Sequence, residues 1–163
     1  CYARKGMFKE AFDIYNVAIK RKPDFANAHN SLGNCYFKAG QYDNAILALQ
    51  QAIKIQPDYA EAYNNMGSAY FSKGDYANAV TAFQTAIRIS PTYVDAHKNL
   101  GSAYGTMKDY DKSIASFLNA LKFDPNSAEI NRYLGLTYQF KGDMTIGARY
   151  LNRAYELDPS LRQ

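Results

Sequence analysis

The chain has 163 residues, of which 47% are hydrophobic and 21% charged, and 19 Lys and Arg against 15 Asp and Glu give a formal net charge of +4. This composition excludes a disordered chain, and the small, scattered basic excess lacks the clustered stripe of a nucleic-acid or anionic-membrane binder, so we expect neither partner. The prolines recur every 34 residues, a period that excludes an irregular globular fold, at Pro23, Pro57, Pro91, Pro125 and Pro159.

Counted with proline as position 32, the sequence is a single array over 1–163, made of a partial repeat at 1–25 and full repeats at 26–59, 60–93, 94–127 and 128–161. Each full repeat is predicted to begin with a helix that carries one stripe of a large residue, a glycine and a tyrosine. In the second repeat these are Met66, Gly67 and Tyr70. A glycine inside a helix costs about 1 kcal/mol relative to alanine. Its recurrence therefore predicts that a neighbouring helix approaches closely at this point.

A turn and a second helix are expected next in each repeat. The turn is predicted at Gly40, Gly74 and Gly142, with Lys108 in the same place in the third repeat. Aspartates that follow the turn are predicted to cap the second helix, and they are Asp75, Asp109 and Asp143. Proline ends that helix. The residues after proline are predicted to cap the next first helix in a capping box with an acidic residue or Asn three positions later, and the four pairs are Asp24 and Asn27, Asp58 and Glu61, Thr92 and Asp95, and Asn126 and Glu129.

The cysteines, the apolar runs and the ends of the chain bear on disulfide bonding, membrane insertion and assembly. Cys1 and Cys35 lie one period apart, so we expect them in neighbouring layers, too far apart for a disulfide. No apolar run approaches the roughly 20 residues of a membrane span, so we expect no membrane insertion, and a cytoplasmic location is the working expectation. No polar capping helix is evident at either end. We therefore expect a segment of a longer array, or ends covered by another chain, with a homo-oligomer as one form of that cover.

The signature of the second repeat resembles that of the tetratricopeptide repeat family, and the resemblance covers nearly the whole chain. Its residues are Tyr63, Met66, Gly67, Tyr70, Ala79, Phe83, Ala86 and Pro91. Departures are Lys108, Asn131 and Gly147, so the fourth repeat is the least regular. The resemblance implies an all-α fold, an α-solenoid of stacked antiparallel helix pairs in a right-handed superhelix. It also implies a concave surface lined mainly by the first helices.

The face of the first helix opposite the core stripe is predicted to line this groove and to bind a peptide. Its candidate residues are Asn30, Asn34, Phe37, Asn64, Asn65, Phe71, Lys98, Asn99 and Arg132. A carboxamide offers one acceptor and two donors, so asparagines suit a peptide backbone of any sequence. Asn65 and Asn99 share a repeat position and resemble the asparagine ladder of the O-linked N-acetylglucosamine transferase family. Two alternatives stay open: the asparagines are merely tolerated on a polar face, and Phe37 and Phe71 pack inside the fold.

Chaperone adaptors of the same family hold a C-terminal carboxylate with basic and Asn side chains. Asn34 and Asn65 match the Asn places of that clamp, but its basic places are Asn30, Asp95 and Asn99. An aspartate repels a carboxylate, so we do not expect this ligand.

Catalytic patterns are missing from the sequence. It holds no nucleophile with a base, no paired carboxylates outside the predicted caps and no phosphate-binding loop, so we expect no enzyme activity, cofactor or metal. His29 and His97 share a repeat position and are predicted to be packing residues. The leading hypothesis is a protein-interaction scaffold that binds an extended or helical segment of a protein or peptide partner. The alternatives are the recruiting or regulatory part of a larger glycosyltransferase- or phosphatase-like enzyme, and a self-assembling scaffold.

Overall fold

A computed structural model describes residues 2–162, and the side chains of residues 12–162. Cys1 and its predicted lack of a disulfide lie outside the described residues. The described part of the chain forms nine α-helices, a final 3₁₀ turn and no strand. The helices are α1 (Tyr2–Arg21), α2 (Ala26–Lys38), α3 (Tyr42–Ile55), α4 (Ala60–Lys73), α5 (Tyr76–Ile89), α6 (Val94–Thr106), α7 (Tyr110–Phe123), α8 (Ala128–Lys141) and α9 (Met144–Leu157), and the 3₁₀ turn is Pro159–Arg162.

The helices form two compact units, an N-terminal unit (Cys1–Ile89) and a C-terminal unit (Ser90–Gln163). In the N-terminal unit α2 packs on α3 and α4 on α5, while α3 joins the two pairs by packing on α4. In the C-terminal unit α6 packs on α7 and α8 on α9, and α7 packs on α8. The fold is therefore the predicted all-α solenoid of helix pairs. The first helices of the pairs are α2, α4, α6 and α8.

The glycine of the first helix lies against a large residue of the second helix, as predicted. A Cβ atom added to Gly67 would lie 2.6 Å from Cε1 of Phe83, and one added to Gly101 would lie 2.8 Å from Cδ1 of Phe117. Phe83 and Phe117 are 1% and 2% exposed. Carbon atoms in contact are normally 3.5–4.0 Å apart. No larger residue fits at the glycine unless the ring opposite it moves.

The turn after each first helix has a left-handed residue, as its sequence predicts. Gly74 and Gly142 have φ of 87° and 101°, and Lys108 takes the same region with φ of 62°. In the turn that contains Gly74, its N–H donates to the carbonyl oxygen of Phe71 at 3.0 Å, and the N–H of Asp75 donates to Tyr70 at 2.9 Å. These bonds satisfy carbonyl groups that the helix end leaves without an intrahelical partner.

The predicted caps of the second helices are confirmed. The carboxylate of Asp109 accepts from the backbone N–H of Lys112 at 3.3 Å, and that of Asp143 accepts from Ile146 at 2.9 Å. Asp75 accepts in the same way from the backbone N–H of Asn78 at 3.2 Å.

The predicted caps of the first helices are wrong, because each helix begins one residue later than expected. The N-cap residues are Phe25, Tyr59, Tyr93 and Ser127. Only Ser127 among them caps with its side chain, which accepts from the N–H of Ile130 at 3.4 Å. Asp24 instead follows Pro23 inside a β-turn that is closed by the N–H of Phe25 donating to the carbonyl of Lys22 at 3.2 Å. Proline favours the second position of such a turn, so the Pro-Asp pair is used there.

The two histidines are packing residues, as predicted. His97 is 7% exposed, its ring stacks on Phe123 with 5.9 Å between centroids, and its Nε2–H donates to the carbonyl oxygen of Pro91 at 2.9 Å. His29 makes the same bond to Pro23 at 3.1 Å. Each histidine therefore ties the first helix to the preceding turn.

Gly67→Ala tests the tight contact inside a helix pair. Overpacking against Phe83 costs about 1–3 kcal/mol, which outweighs the roughly 1 kcal/mol that alanine gains in helix propensity. We expect the free energy of unfolding to fall by up to about 2 kcal/mol, measured by urea unfolding followed by circular dichroism. Ser72→Ala, at an exposed position of the same helix, is the control and should not lower stability. A stabilising Gly67→Ala would contradict the close approach.

Lys108→Gly tests the strained turn of the C-terminal unit. A left-handed non-glycine residue costs about 1–2 kcal/mol, while glycine adds unfolded-state entropy worth about 0.4–1 kcal/mol. We expect a net gain of about 0.5–1 kcal/mol in thermal or urea unfolding. The reverse change, Gly74→Lys, should lower the free energy of unfolding by a similar amount. If both changes raised it, or both lowered it, strain at the left-handed residue would be ruled out as the cause.

Candidate interaction surface on the first helices

The nine predicted binding residues lie on the first helices, α2 and α4 in the N-terminal unit and α6 and α8 in the C-terminal unit. We term the sides of these helices that carry them the first-helix faces. Their environments differ. Asn30 and Asn64 are buried, at 4% and 6% exposure. The other seven are partly exposed: Asn34, Phe37, Asn65, Phe71, Lys98, Asn99 and Arg132.

The carboxamide of Asn30 is consumed inside the N-terminal unit. Its Nδ2 donates to the hydroxyl of Tyr59 at 3.2 Å and to Oε1 of Glu61 at 3.0 Å. Its Oδ1 accepts from Nδ2 of Asn65 at 3.0 Å. Burial, helped by the charge of Glu61, raises the pKa of the Tyr59 hydroxyl even though the Asn30 bond acts in the opposite direction. Asn30 therefore joins α2 to the following repeat, and its carboxamide is hydrogen-bonded within the fold.

Lys98 occupies in the C-terminal unit the repeat position that Asn30 has in the N-terminal unit. Its ammonium group lies 2.9 Å from Oε2 of Glu129 and 3.2 Å from Oδ1 of Asp95. Burial alone would lower the pKa of Lys98, but the hydrogen bonds and charges of the two carboxylates outweigh it and raise that pKa. Lys98 thus makes an ion pair between α6 and α8, and the acidic residues assigned to capping boxes are its partners.

Glu61 and Glu129 share a repeat position, so one rule describes both units. The side chain at the fifth position of a repeat reaches the carboxylate at the second position of the next repeat, as in Asn30 to Glu61 and Lys98 to Glu129. Arg132 has the same fifth position in the fourth repeat. No described side chain forms an ion pair or hydrogen bond with its guanidinium. Arg132 therefore offers a free cation within the described part of the C-terminal unit.

Asn34 is the clearest unoccupied carboxamide of the N-terminal unit. It is partly exposed on α2, one helical turn after the consumed Asn30, and it has no hydrogen-bond partner among the described side chains. Asn65, on α4, is also partly exposed, and one N–H of its carboxamide donates to Asn30. These two residues can offer polar groups to a ligand.

Phe37 and Phe71 pack against other side chains of the fold. The ring of Phe37 lies 5.8 Å from that of Tyr42, and Phe37 contacts a cluster that includes the buried Ala45 and Ala69. Phe71 lies 5.4 Å from Tyr76 in the same arrangement. The packing alternative is thus the one that the contacts support. Both rings fill space that would otherwise be open.

An apolar pocket that sequence reasoning missed lies in the C-terminal unit. Its volume is about 290 Å³, and it is lined by residues of α6 and α8 together with Tyr110 and others of α7. The available signal was a glycine, Gly105, at the repeat position that holds Phe37 and Phe71. The loss of the phenylalanine at this position is easily overlooked in the sequence, because glycine is common at other positions of the repeat.

Two absences bear on function within the described residues. The described side chains, those of residues 12–162, include no group of three or more His, Cys, Asp or Glu that could hold a metal ion. None of the described helices combines the length and apolar character needed to cross a bilayer.

Family models and solved structures agree on the class of protein, which is a helix-pair repeat protein. Tetratricopeptide repeat models match residues 14–46, 94–127 and 134–161, a TPR repeat model matches 33–74 and 67–108, and a PPR repeat model matches 1–22. The chain belongs to the tetratricopeptide repeat family.

Similar solved structures extend over almost the whole chain. A crystal structure of MamA has a TM-score of 0.86 and 29% identity, covering 97% of this chain and 92% of that chain. TTC0263, a thermophilic TPR protein in Thermus thermophilus, has a TM-score of 0.79 and 24% identity, covering 99% of this chain and 89% of that chain. YrrB, a TPR protein with an unusual peptide-binding site, has a TM-score of 0.77 and 18% identity, covering 96% of this chain and 81% of that chain. The last two share the fold alone. No curated protein matches the sequence.

A double-mutant cycle of Lys98→Met and Glu129→Gln tests the ion pair between α6 and α8. We expect a coupling of about 0.5–1 kcal/mol in urea unfolding at neutral pH, because the pair is partly exposed. The pKa of Lys98 is raised above its ordinary 10.5, so this coupling is fully present below that value and is lost as pH rises through the folded-state pKa. A coupling unchanged in strongly alkaline solution would contradict the assignment.

Proposed function

We propose that this chain is a non-enzymatic scaffold that binds an extended or helical segment of a partner protein on its first-helix faces. Membership of the tetratricopeptide repeat family supports the coarser statement, that it is a protein-interaction scaffold. The description of YrrB as a protein with an unusual peptide-binding site indicates that this fold can carry a peptide site.

The observation that carries the proposal is the free carboxamide of Asn34. Folding satisfies the neighbouring Asn30 completely but leaves Asn34 partly exposed and without a described side-chain partner. A carboxamide can donate to a peptide carbonyl and accept from a peptide N–H at the same time. Each such bond contributes about 0.5–1.5 kcal/mol net. A residue of this kind holds a peptide backbone without selecting its side chains.

Charge supplies a second, more selective element in the C-terminal unit. Lys98 is neutralised by Glu129 and Asp95, whereas Arg132 is not neutralised by any described residue. A guanidinium binds a carboxylate through two parallel hydrogen bonds. We therefore expect a partner segment with at least one acidic side chain opposite α8.

Peptide selection on the full chain tests the proposal. Twelve-residue peptides selected from a random library should bind with micromolar dissociation constants, about −8 kcal/mol. Asn34→Ala should weaken the selected peptides about three- to tenfold, the loss of one or two hydrogen bonds, while circular dichroism stays unchanged. Isothermal titration calorimetry gives the affinities.

Asn152→Ala is the matched control, because it makes the same chemical change at an exposed position of the second helix α9. It should leave the affinities unchanged. Asn34 is a cleaner test than Asn65, whose truncation also removes a bond to the buried Asn30. Selected peptides that lose affinity in Asn152→Ala and keep it in Asn34→Ala would place the interaction on the second helices and overturn the proposal.

A further inference from the structure

The pocket of the C-terminal unit lies where another repeat has its own phenylalanine. Phe37 in α2 contacts Ala45 of α3 and Ala69 of α4 as part of one apolar cluster, and its ring lies beside Tyr42. Two periods later the sequence has Gly105 in place of Phe37. The positions of Ala45, Ala69 and Tyr42, which surround Phe37, are occupied there by Ser113, Thr137 and Tyr110. These wall residues line the pocket of about 290 Å³. The volume is therefore the space of an aromatic side chain that this repeat lacks.

The walls of this Gly105 pocket present mainly apolar atoms, because the hydroxyl groups of its serine and threonine residues are used within the fold. The hydroxyls of Ser102 and Thr106 donate to the carbonyl oxygens of Lys98 and Ser102, at 3.2 Å and 3.0 Å. The hydroxyl of Ser113 donates to the carbonyl oxygen of Gly101 at 2.8 Å, and that of Thr137 donates to Tyr133 at 2.8 Å. These hydroxyl protons are thus used inside the fold, and a ligand need not satisfy them.

Aromatic rings surround the opening and favour an aromatic occupant. Gly105 stands where Phe37 and Phe71 stand in the earlier repeats, and Tyr110 stacks on Phe140 of α8, with 6.4 Å between centroids and 13° between planes. Phe140 is 72% exposed, which is unusual for a phenylalanine. Phe117 and Tyr133 also line the pocket. Aromatic pairs prefer centroid separations of 4.5–7 Å, which an inserted ring can reach with several of these neighbours.

Charge beside the pocket specifies the partner further. Arg132 lies one helical turn before Leu136, a pocket residue of α8, so the two share one side of that helix at about 5–6 Å. The free guanidinium of Arg132 attracts an acidic group of any segment that enters here.

We propose that the Gly105 pocket binds one aromatic side chain of the partner segment, with an acidic residue of the same segment at Arg132. This inference rests on the proposed function and names the chemistry of the partner. The aromatic ring of the partner would occupy in the third repeat the place that Phe37 and Phe71 have in the first and second repeats.

A small probe tests the pocket without knowledge of the partner. N-acetyl-L-phenylalaninamide, titrated into the full chain, should give saturable NMR shifts at the methyl groups of Leu136 and Thr137. N-acetylglycinamide should give none. The absence of saturable shifts with the phenylalanine probe would overturn the inference.

Filling the pocket from within provides the decisive variant. A Cβ atom at Gly105 would lie 3.2 Å from Oγ of Ser113, and the equivalent of Ser113 in the earlier repeats is Ala45 or Ala79. Gly105→Phe combined with Ser113→Ala, the filled variant, therefore restores the residues of the earlier repeats at these two positions, while Thr137 remains in place of Ala69. We expect this double variant to abolish the probe shifts, whereas Ser113→Ala alone keeps them. Unchanged probe binding in the filled variant would overturn the inference.

Phe140→Ala keeps the test decisive if the filled variant does not fold. Its ring is mostly exposed, so truncation leaves the core intact, and we expect probe affinity to fall at least threefold. An unchanged affinity would contradict the aromatic opening.

The selected peptides separate this inference from the proposed function. We expect their alanine scans to show one dominant aromatic residue, and the filled variant to weaken them at least tenfold. Peptides weakened by Asn34→Ala but unaffected by the filled variant would overturn the pocket inference and leave the proposed function intact. Self-association that the filled variant abolishes would make a second copy of the chain the occupant and overturn the inference of a different partner.

Discussion

The contact between a glycine of the first helix and a large residue of the second helix is the constraint on which each pair depends. Gly33 meets Leu49, Gly67 meets Phe83 and Gly101 meets Phe117, and in each case a Cβ atom would lie under 3.0 Å from the partner side chain. In the fourth pair a Cβ at Gly135 would lie 2.8 Å from Cγ of Leu151 and also 2.9 Å from the carbonyl oxygen of Gly147, so the two backbones approach closely there as well. Because this contact occupies one side of the first helix, the other sides remain for further contacts, including those between repeats.

Contacts between successive repeats use polar residues that also suit a binding surface. Asn30 reaches Glu61 and Lys98 reaches Glu129, so the same repeat position supplies a neutral donor in one unit and an ion pair in the other. A second pattern joins Asp43 to Lys73 and Asp111 to Lys141. Contacts between repeats therefore engage some polar side chains of the first helices and leave Asn34 and Arg132 without a described side-chain partner.

The sequence predicts features that depend on neighbours in the chain and misses those that depend on distant ones. Glycine turns, the caps at Asp109 and Asp143 and the close helix approach all follow from local patterns, and they are confirmed. The first-helix caps were misplaced by one residue because the Pro-Asp pair is equally suited to a β-turn. The sequence does not show that Asn30 is hydrogen-bonded within the fold, because its partners, Tyr59 and Glu61, lie 29 and 31 residues away. The pocket at Gly105 depends on a side chain that is missing, which periodic matching does not reveal.

The end of α6 has a dynamic consequence that follows from its composition. Gly105 lowers the helix propensity of the last turn, and Lys108 then holds a strained left-handed turn, whereas α4 has Phe71 and Gly74 at the same places. Local opening should therefore require less free energy at the end of α6 than at the end of α4, and amide hydrogens there should exchange faster. A side chain that enters the pocket would slow this exchange by ordering the helix end, so part of its binding free energy is spent on local folding.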